Sequence, residues 1–160
     1  MLLLYSLYMD RIEGFGLYLD LTLKKISETY LRVFNNNNIN LTIEQFVILQ
    51  QIDRLGNNAS QKDIVEINFR NRATTSRVIS GLCKKNFVKK KRFKSDLKRY
   101  KLIISEEGYL ELEKAQPYVQ KLRNLSKKNI KQKDFNELLV ILEKIRNNYE
   151  LFDESVKPIS

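Results

Sequence analysis

The stretch FVKKKRFKSDLKRYK, residues 87–101, holds eight cations (Lys89, Lys90, Lys91, Arg92, Lys94, Lys98, Arg99 and Lys101) and one carboxylate, Asp96. Lysine and arginine at this density neutralise phosphates; they do not break bonds. Just upstream, RATTSRVISGLCKKN (72–86) carries Arg72, Thr74, Thr75, Ser76 and Arg77, the short donors and cations that reach phosphate oxygens and base edges. Both segments belong to one basic block. From Ser60 to Lys101 there are 14 Lys/Arg against 3 Asp/Glu, a balance of +11, while the whole chain carries +10. The excess charge is local, and it points to a polyanion met at one face.

What the chain lacks narrows the function classes. It has no histidine, which removes the commonest general acid/base, the Ser–His and Cys–His arrangements and any histidine-based metal site. No Gly-rich phosphate loop, GxSxG motif or paired-carboxylate pattern appears. The expectation is a protein without enzymatic activity, cofactor or metal. The single cysteine, Cys83, cannot close an internal disulfide, so a reducing, cytoplasmic compartment fits. The opening MLLLYSLYM has no basic region before it, and Asp10, Arg11 and Glu13 end it far short of a membrane span. It reads as the start of a buried helix, or as an early start ahead of Met9.

At 160 residues and 42% hydrophobic, the chain suffices for one domain with its own core. Residues 10–34 place Ile12, Phe15, Leu19, Ile26, Tyr30 and Val33 roughly once per helical turn, and the run stops at NNNNIN. In LTIEQFVILQQIDRL, Thr42 and Gln45 have capping-box spacing and Leu41 can staple against Phe46. SQKDIVEIN predicts a short helix from Ser60 with Ile64, Val65 and Ile67 inward. FRNR makes a turn with Asn71 as an N-cap, and residues 72–86 form a second helix with Val78, Ile79 and Leu82 inward. Thr74, Ser76, Arg77 and Lys84 then share the outer side. Two short helices joined by a tight turn, the second polar and basic outside, describe a helix-turn-helix.

Asn86 accepts the left-handed conformation that stops a helix. Phe87, Val88 and Phe93 anchor one strand, and YKLIIS (100–105) puts Leu102 and Ile104 on one face of another. A charged hairpin after a helix-turn-helix is a wing. Ser105-Glu106-Glu107 starts a further helix through Leu110, Leu112, Ala115, Val119, Leu122 and Leu125, with a kink or break expected at Pro117. A last helix from about Asp134 carries Phe135, Leu138, Leu139, Leu142, Ile145, Tyr149 and Phe152 as a wide apolar stripe. The fold class is mainly α with a small β-hairpin wing. Residues 41–105 form the winged helix-turn-helix within a single domain 1–160, and 1–36 and 106–160 are dimerisation helices. Their stripes exceed what one copy needs to cover its core, so a two-fold homodimer is expected.

Three pieces in order resemble the MarR family (multiple antibiotic resistance regulators) of bacterial transcription factors across roughly residues 10–150. LTIEQFVILQQI is similar to its Leu-Thr-x-x-Gln-Phe-x-x-Leu helix. SQKDI and TTSRVISGLCKKNFV are similar to its Thr-Gln-x-Glu-Leu start and its recognition helix. DLKRYKLIISEEG is similar to its wing signature, Asp-x-Arg followed by an apolar strand and Leu-Thr-x-x-Gly. The resemblance implies a homodimeric repressor on a pseudo-palindromic operator in double-stranded DNA. It also implies a small aromatic or anionic effector.

By position, Thr74, Thr75, Ser76 and Arg77 would face the major groove. Ser60, Gln61, Arg72, Lys94 and Arg99 would add DNA contacts. Lys98 would enter the minor groove, and Asp96 would hold the wing by pairing with a nearby base. Leu97-Lys98 stands where Arg-Arg is common in the family, which replaces a bidentate fork by a point charge. The first helix has no cysteine of the kind the hydroperoxide-sensing branch uses. Cys83 reads as a packing residue, with a redox switch helped by Lys84 and Lys85 as the alternative. The competing functions are a sequence-tolerant, nucleoid-type nucleic-acid binder and a winged-helix interaction module without operator recognition.

Overall fold

Short polar side chains start three of the helices. Thr42 sits in an extended conformation, its Oγ1 accepts from the Gln45 N–H at 3.2 Å, and its own N–H donates to Gln45 Oε1 at 3.1 Å. This is the capping box expected from the spacing. Ser60 repeats the device with Asp63: the Ser60 N–H donates to Asp63 Oδ2 at 2.9 Å, and Ser60 Oγ accepts from the Asp63 N–H at 3.3 Å. Ser105 Oγ accepts from the Gly108 N–H at 3.0 Å and donates to the Asn86 carbonyl at 2.6 Å. The Glu107 backbone N–H is the chief cause that lowers the Glu107 carboxyl from its ordinary value.

The computed structural model describes residues 14–56, 59–68, 72–93 and 100–155. In chain order these form α1 (Phe15–Asn36), α2 (Ile43–Leu55), α3 (Gln61–Asn68), α4 (Arg72–Lys84), β1 (Val88–Arg92), β2 (Tyr100–Ile104), α5 (Glu106–Ser126) and α6 (Gln132–Ser155). The N-cap expected at Asn71 lies outside the described residues.

Asparagines end two helices for one reason. Asn38 (φ 52°) and Asn86 (φ 60°) both take the left-handed conformation. The next residue then donates back into the helix, Ile39 to the Phe34 carbonyl at 2.9 Å and Phe87 to the Leu82 carbonyl at 3.0 Å. Those two apolar pairs are buried, as a Schellman closure requires. The polar run NNNNIN is thus a helix stop with Ile39 turned into the core.

The chain divides into two compact units, Met1–Val119 and Gln120–Ser160. In the first, Phe34, Phe46, Leu49, Ile52, Ile64, Ile79 and Leu82 from four helices meet Val88 and Leu102 of the hairpin in a core almost closed to solvent. Each such side chain contributes roughly 1.5–3 kcal/mol of burial. The strands pair antiparallel from Val88↔Ile104 to Arg92↔Tyr100. Val88, Leu102 and Ile104 face inward and the lysines of β1 are exposed. A bridge between Ser60 and Lys101, with the Leu102 N–H donating to the Ala59 carbonyl at 2.8 Å, ties β2 to the residues just before α3.

Of the kink or break expected at Pro117, the break is absent: helix α5 runs unbroken through it. Pro117 and Glu113, whose carbonyl gives up its helical partner, are both exposed, where the lost bond costs least. A second expectation is corrected. Ile67 does not face inward: it is 43% exposed, because Ile64 alone occupies the buried side of the two-turn α3. The second unit holds the end of α5 and α6, where Phe135 stacks under Lys127 Nζ at 5.3 Å and Arg146 reaches Glu143 and Glu150.

Candidate nucleic-acid interface

Helix α4 has a buried side and a basic side. Thr75, Ile79 and Leu82 are buried; on the opposite side Arg77 and Lys84 are exposed, with Thr74 and Ser76 half-buried at the flanks, and Arg72 is exposed at the helix start. The i, i+4 spacing of Thr75, Ile79 and the next turn's Leu82 decides this. The position expected to face a groove together with its neighbours therefore splits. Thr74, Ser76 and Arg77 lie on the outward side, and Thr75 does not. It is fully buried, and its Oγ1 has no hydrogen-bond partner. A buried, unmatched hydroxyl costs stability that valine of the same shape would not. Thr75→Val is expected to raise the unfolding free energy by about 1 kcal/mol. A urea titration showing a clear loss instead would mean the hydroxyl is satisfied.

Ser60 is also corrected. It is 2% exposed, and its Oγ donates to Asp63 Oδ2 at 2.6 Å while capping α3. Both hydrogen-bonding modes of the hydroxyl are used within the protein, so its role is to hold the start of α3 in place.

Of the accessible residues expected from sequence, Gln61 and Arg72 line one cleft of about 450 Å³ together with Lys62, Val65, Glu66, Tyr100 and the buried Ser60, whereas Thr74, Ser76 and Arg77 do not. The cleft opens where the starts of α3 and α4 meet the outer end of β2. Gln61 and Arg72, expected from sequence, lie here together. Lys62 is paired with Glu66 at 3.7 Å, an exposed i, i+4 contact of little energetic weight. Beside the cleft, the Arg92 guanidinium stands 5.8 Å from the centre of the Tyr100 ring. Neither Arg92 nor Tyr100 was singled out from sequence. The signal was the aromatic placed where an apolar-facing strand position first leaves the core.

Lys94, Asp96, Lys98 and Arg99 lie outside the described residues. Cys83 is half-buried on α4, and burial pushes its thiol up, with Lys90 partly opposing. The cation acting on it is thus on β1, not Lys84 or Lys85, and desolvation prevails. A raised thiol pKa favours the packing reading of Cys83 over the redox one.

The recognition side is fixed from behind by Gln45. Its Oε1 accepts from Lys85 Nζ at 3.0 Å as well as completing the α2 cap, and Lys85 Nζ also donates to the Asn40 carbonyl at 3.0 Å. The end of α4 is thereby clasped to the start of α2 and the preceding loop. Asn40 N–H donates to Glu111 Oε1 and Lys114 Nζ donates to the Asn38 carbonyl at 2.5 Å, tying the same loop to α5.

Residues 41–100 match the family described as MarR. No curated protein matches the chain in sequence. Among solved structures, a MarR/EmrR family transcriptional regulator from Acinetobacter sp. ADP1 superposes with a TM-score of 0.73 at 15% identity, covering 89% of this chain and 99% of that one. MepR of S. aureus, in complex with DNA, gives 0.74 at 13% identity, covering 83% and 96%. The organohalide-sensing transcriptional regulator RdhR, bound to 2,4-dichlorophenol, gives 0.77 at 17% identity, covering 88% and 82%. At these identities the likeness is one of fold, and it extends beyond the matched segment to the flanking helices.

Proposed function

We propose, starting from the match of residues 41–100 to the MarR family, that the chain is a transcription regulator without enzymatic activity and acts as a homodimeric repressor. It binds a pseudo-palindromic operator through Gln61, Arg72, Thr74, Ser76 and Arg77, with the wing cations alongside. A small aromatic or anionic effector releases it. The observation that carries this reading is the division of α4 into a sealed side and a basic side beside a cationic hairpin, since phosphate and base contacts need both on one surface. The similarity to MepR, solved with DNA, and to RdhR, solved with 2,4-dichlorophenol, supports the two ligand classes.

Exposed apolar side chains support the dimer. In the first unit, α1 exposes Leu17, Leu19, Leu23 and Leu31; in the second, α6 exposes Leu139, Val140, Leu151 and Phe152. Helices of this kind are covered in the functional state, and a second copy is the simplest cover. Among the described residues no helix is long and apolar enough to cross a membrane. A cytoplasmic location is part of the proposal.

The test is a competition titration on DNA flanking the chain's own gene, at fixed salt. A regulator prefers its site over random duplex by about a thousandfold or more. A preference of less than about tenfold would replace this reading with the sequence-tolerant binder. Sedimentation at micromolar concentration is expected to give a dimer, and a monomer would remove the two-fold operator.

A further inference from the structure

Arg92 and Tyr100 are the outermost pair of the β-ladder, directly opposite each other and so on the same face of the hairpin. That face also carries Leu102 and Ile104, which are buried. Tyr100 continues their alternation but is 44% exposed, because the hairpin has there passed the edge of the core. A large ring in that place is only partly used in packing. What it does touch is the Arg92 guanidinium, at 5.8 Å from the ring centre, and the cleft shared with Arg72 and Gln61.

The residue types fit one another. The basic run of β1 is Lys89-Lys90-Lys91-Arg92, and arginine appears only at the position that faces an aromatic ring. A planar guanidinium can lay its face on a ring and keep its N–H edge turned outward; an ammonium has no such edge. Stacking also removes much of the rotamer freedom that a long side chain otherwise loses on binding.

We propose that Arg92 is a DNA-backbone phosphate contact at the root of the wing and that Tyr100 is its positioning residue, holding the guanidinium beside the cleft that Arg72 lines. This rests on the DNA-binding reading above and adds to it a contact set by the hairpin register. The contact is to phosphate, so it is independent of base sequence.

The test is fluorescence anisotropy with a labelled mixed-sequence duplex of about thirty base pairs, titrated with salt from about 50 to 200 mM. Arg92→Ala is expected to lower the salt slope by about 0.9 per subunit, the value of one phosphate contact. Tyr100→Leu is expected to weaken binding about threefold per subunit, and Tyr100→Phe, which keeps the π-face, to restore it to within about twofold of wild type. The double variant Arg92→Ala/Tyr100→Leu should bind no more weakly than Arg92→Ala alone. An unchanged slope for Arg92→Ala, additive losses in the double variant, or a Tyr100→Phe as weak as Tyr100→Leu would each overturn the pair. Wild-type protein that ignores the duplex even at low salt overturns the DNA-binding reading itself, an outcome distinct from the other three.

Discussion

Gly108→Ala is expected to destabilise the first unit by about 2–3 kcal/mol, measured as a lower urea midpoint with unchanged slope. Helix propensity alone argues the opposite: Gly108 lies in the first turn of α5, and alanine is better there by up to about 1 kcal/mol. Sterics decide the sign. A Cβ on Gly108 would overlap the Phe87 carbonyl oxygen and come within 2.8 Å of Ile104 Cγ2. The carbonyl cannot swing aside cheaply, since it accepts from the Ser105 N–H at 3.0 Å at the junction of hairpin and helix. Phe87 itself is 7% exposed and closes the end of α4. The overlap must therefore push the start of α5 off the wing root, opening contacts on both sides. An alanine variant as stable as the wild type would mean that α5 can shift without loss.

Arg72→Ala with Arg77→Ala is expected to weaken DNA binding by at least about a hundredfold at physiological salt, from loss of charge-assisted contacts worth roughly 1.5 kcal/mol each. Both arginines are exposed, Arg77 on the outward side of α4 and Arg72 at its start, and neither takes part in the core. Thermal stability should change little, which separates this variant from Gly108→Ala. In a two-fold assembly each substitution removes two contacts, so the salt slope should fall by about 0.9 for each phosphate lost. A slope and affinity near wild type would place the DNA on another surface, and the reading of α4 would fall. The two arginines differ in what lies beside them. Arg72 lines the cleft next to Tyr100, so its single variant should couple to changes at the wing root, whereas Arg77 should not.

Elements with local causes were legible in the sequence. Thr42 and Gln45 cap α2 because three residues of spacing bring side chain and backbone together whatever the rest of the chain does. Asn86 stops α4 because a short amide tolerates positive φ. Leu102 and Ile104 point inward because strand side chains alternate. The two misplaced site residues were misplaced for a shared reason. Ser60 and Thr75 are small and polar like their neighbours, and only the packing around them shows that one caps a helix and the other lies in the core.

By itself, then, the sequence determined the order of the elements, the helix-turn-helix with its hairpin, and the concentration of positive charge between Ser60 and Lys101. These follow from spacing, capping and charge, which act over a few residues. Tertiary structure alone decided that Thr75 and Ser60 are buried, where the Gln61–Arg72–Tyr100 cleft opens, and that Arg92 meets a ring eight positions further on. Those depend on strand register and on how α3, α4 and the hairpin pack together, contacts between distant residues that no local pattern encodes.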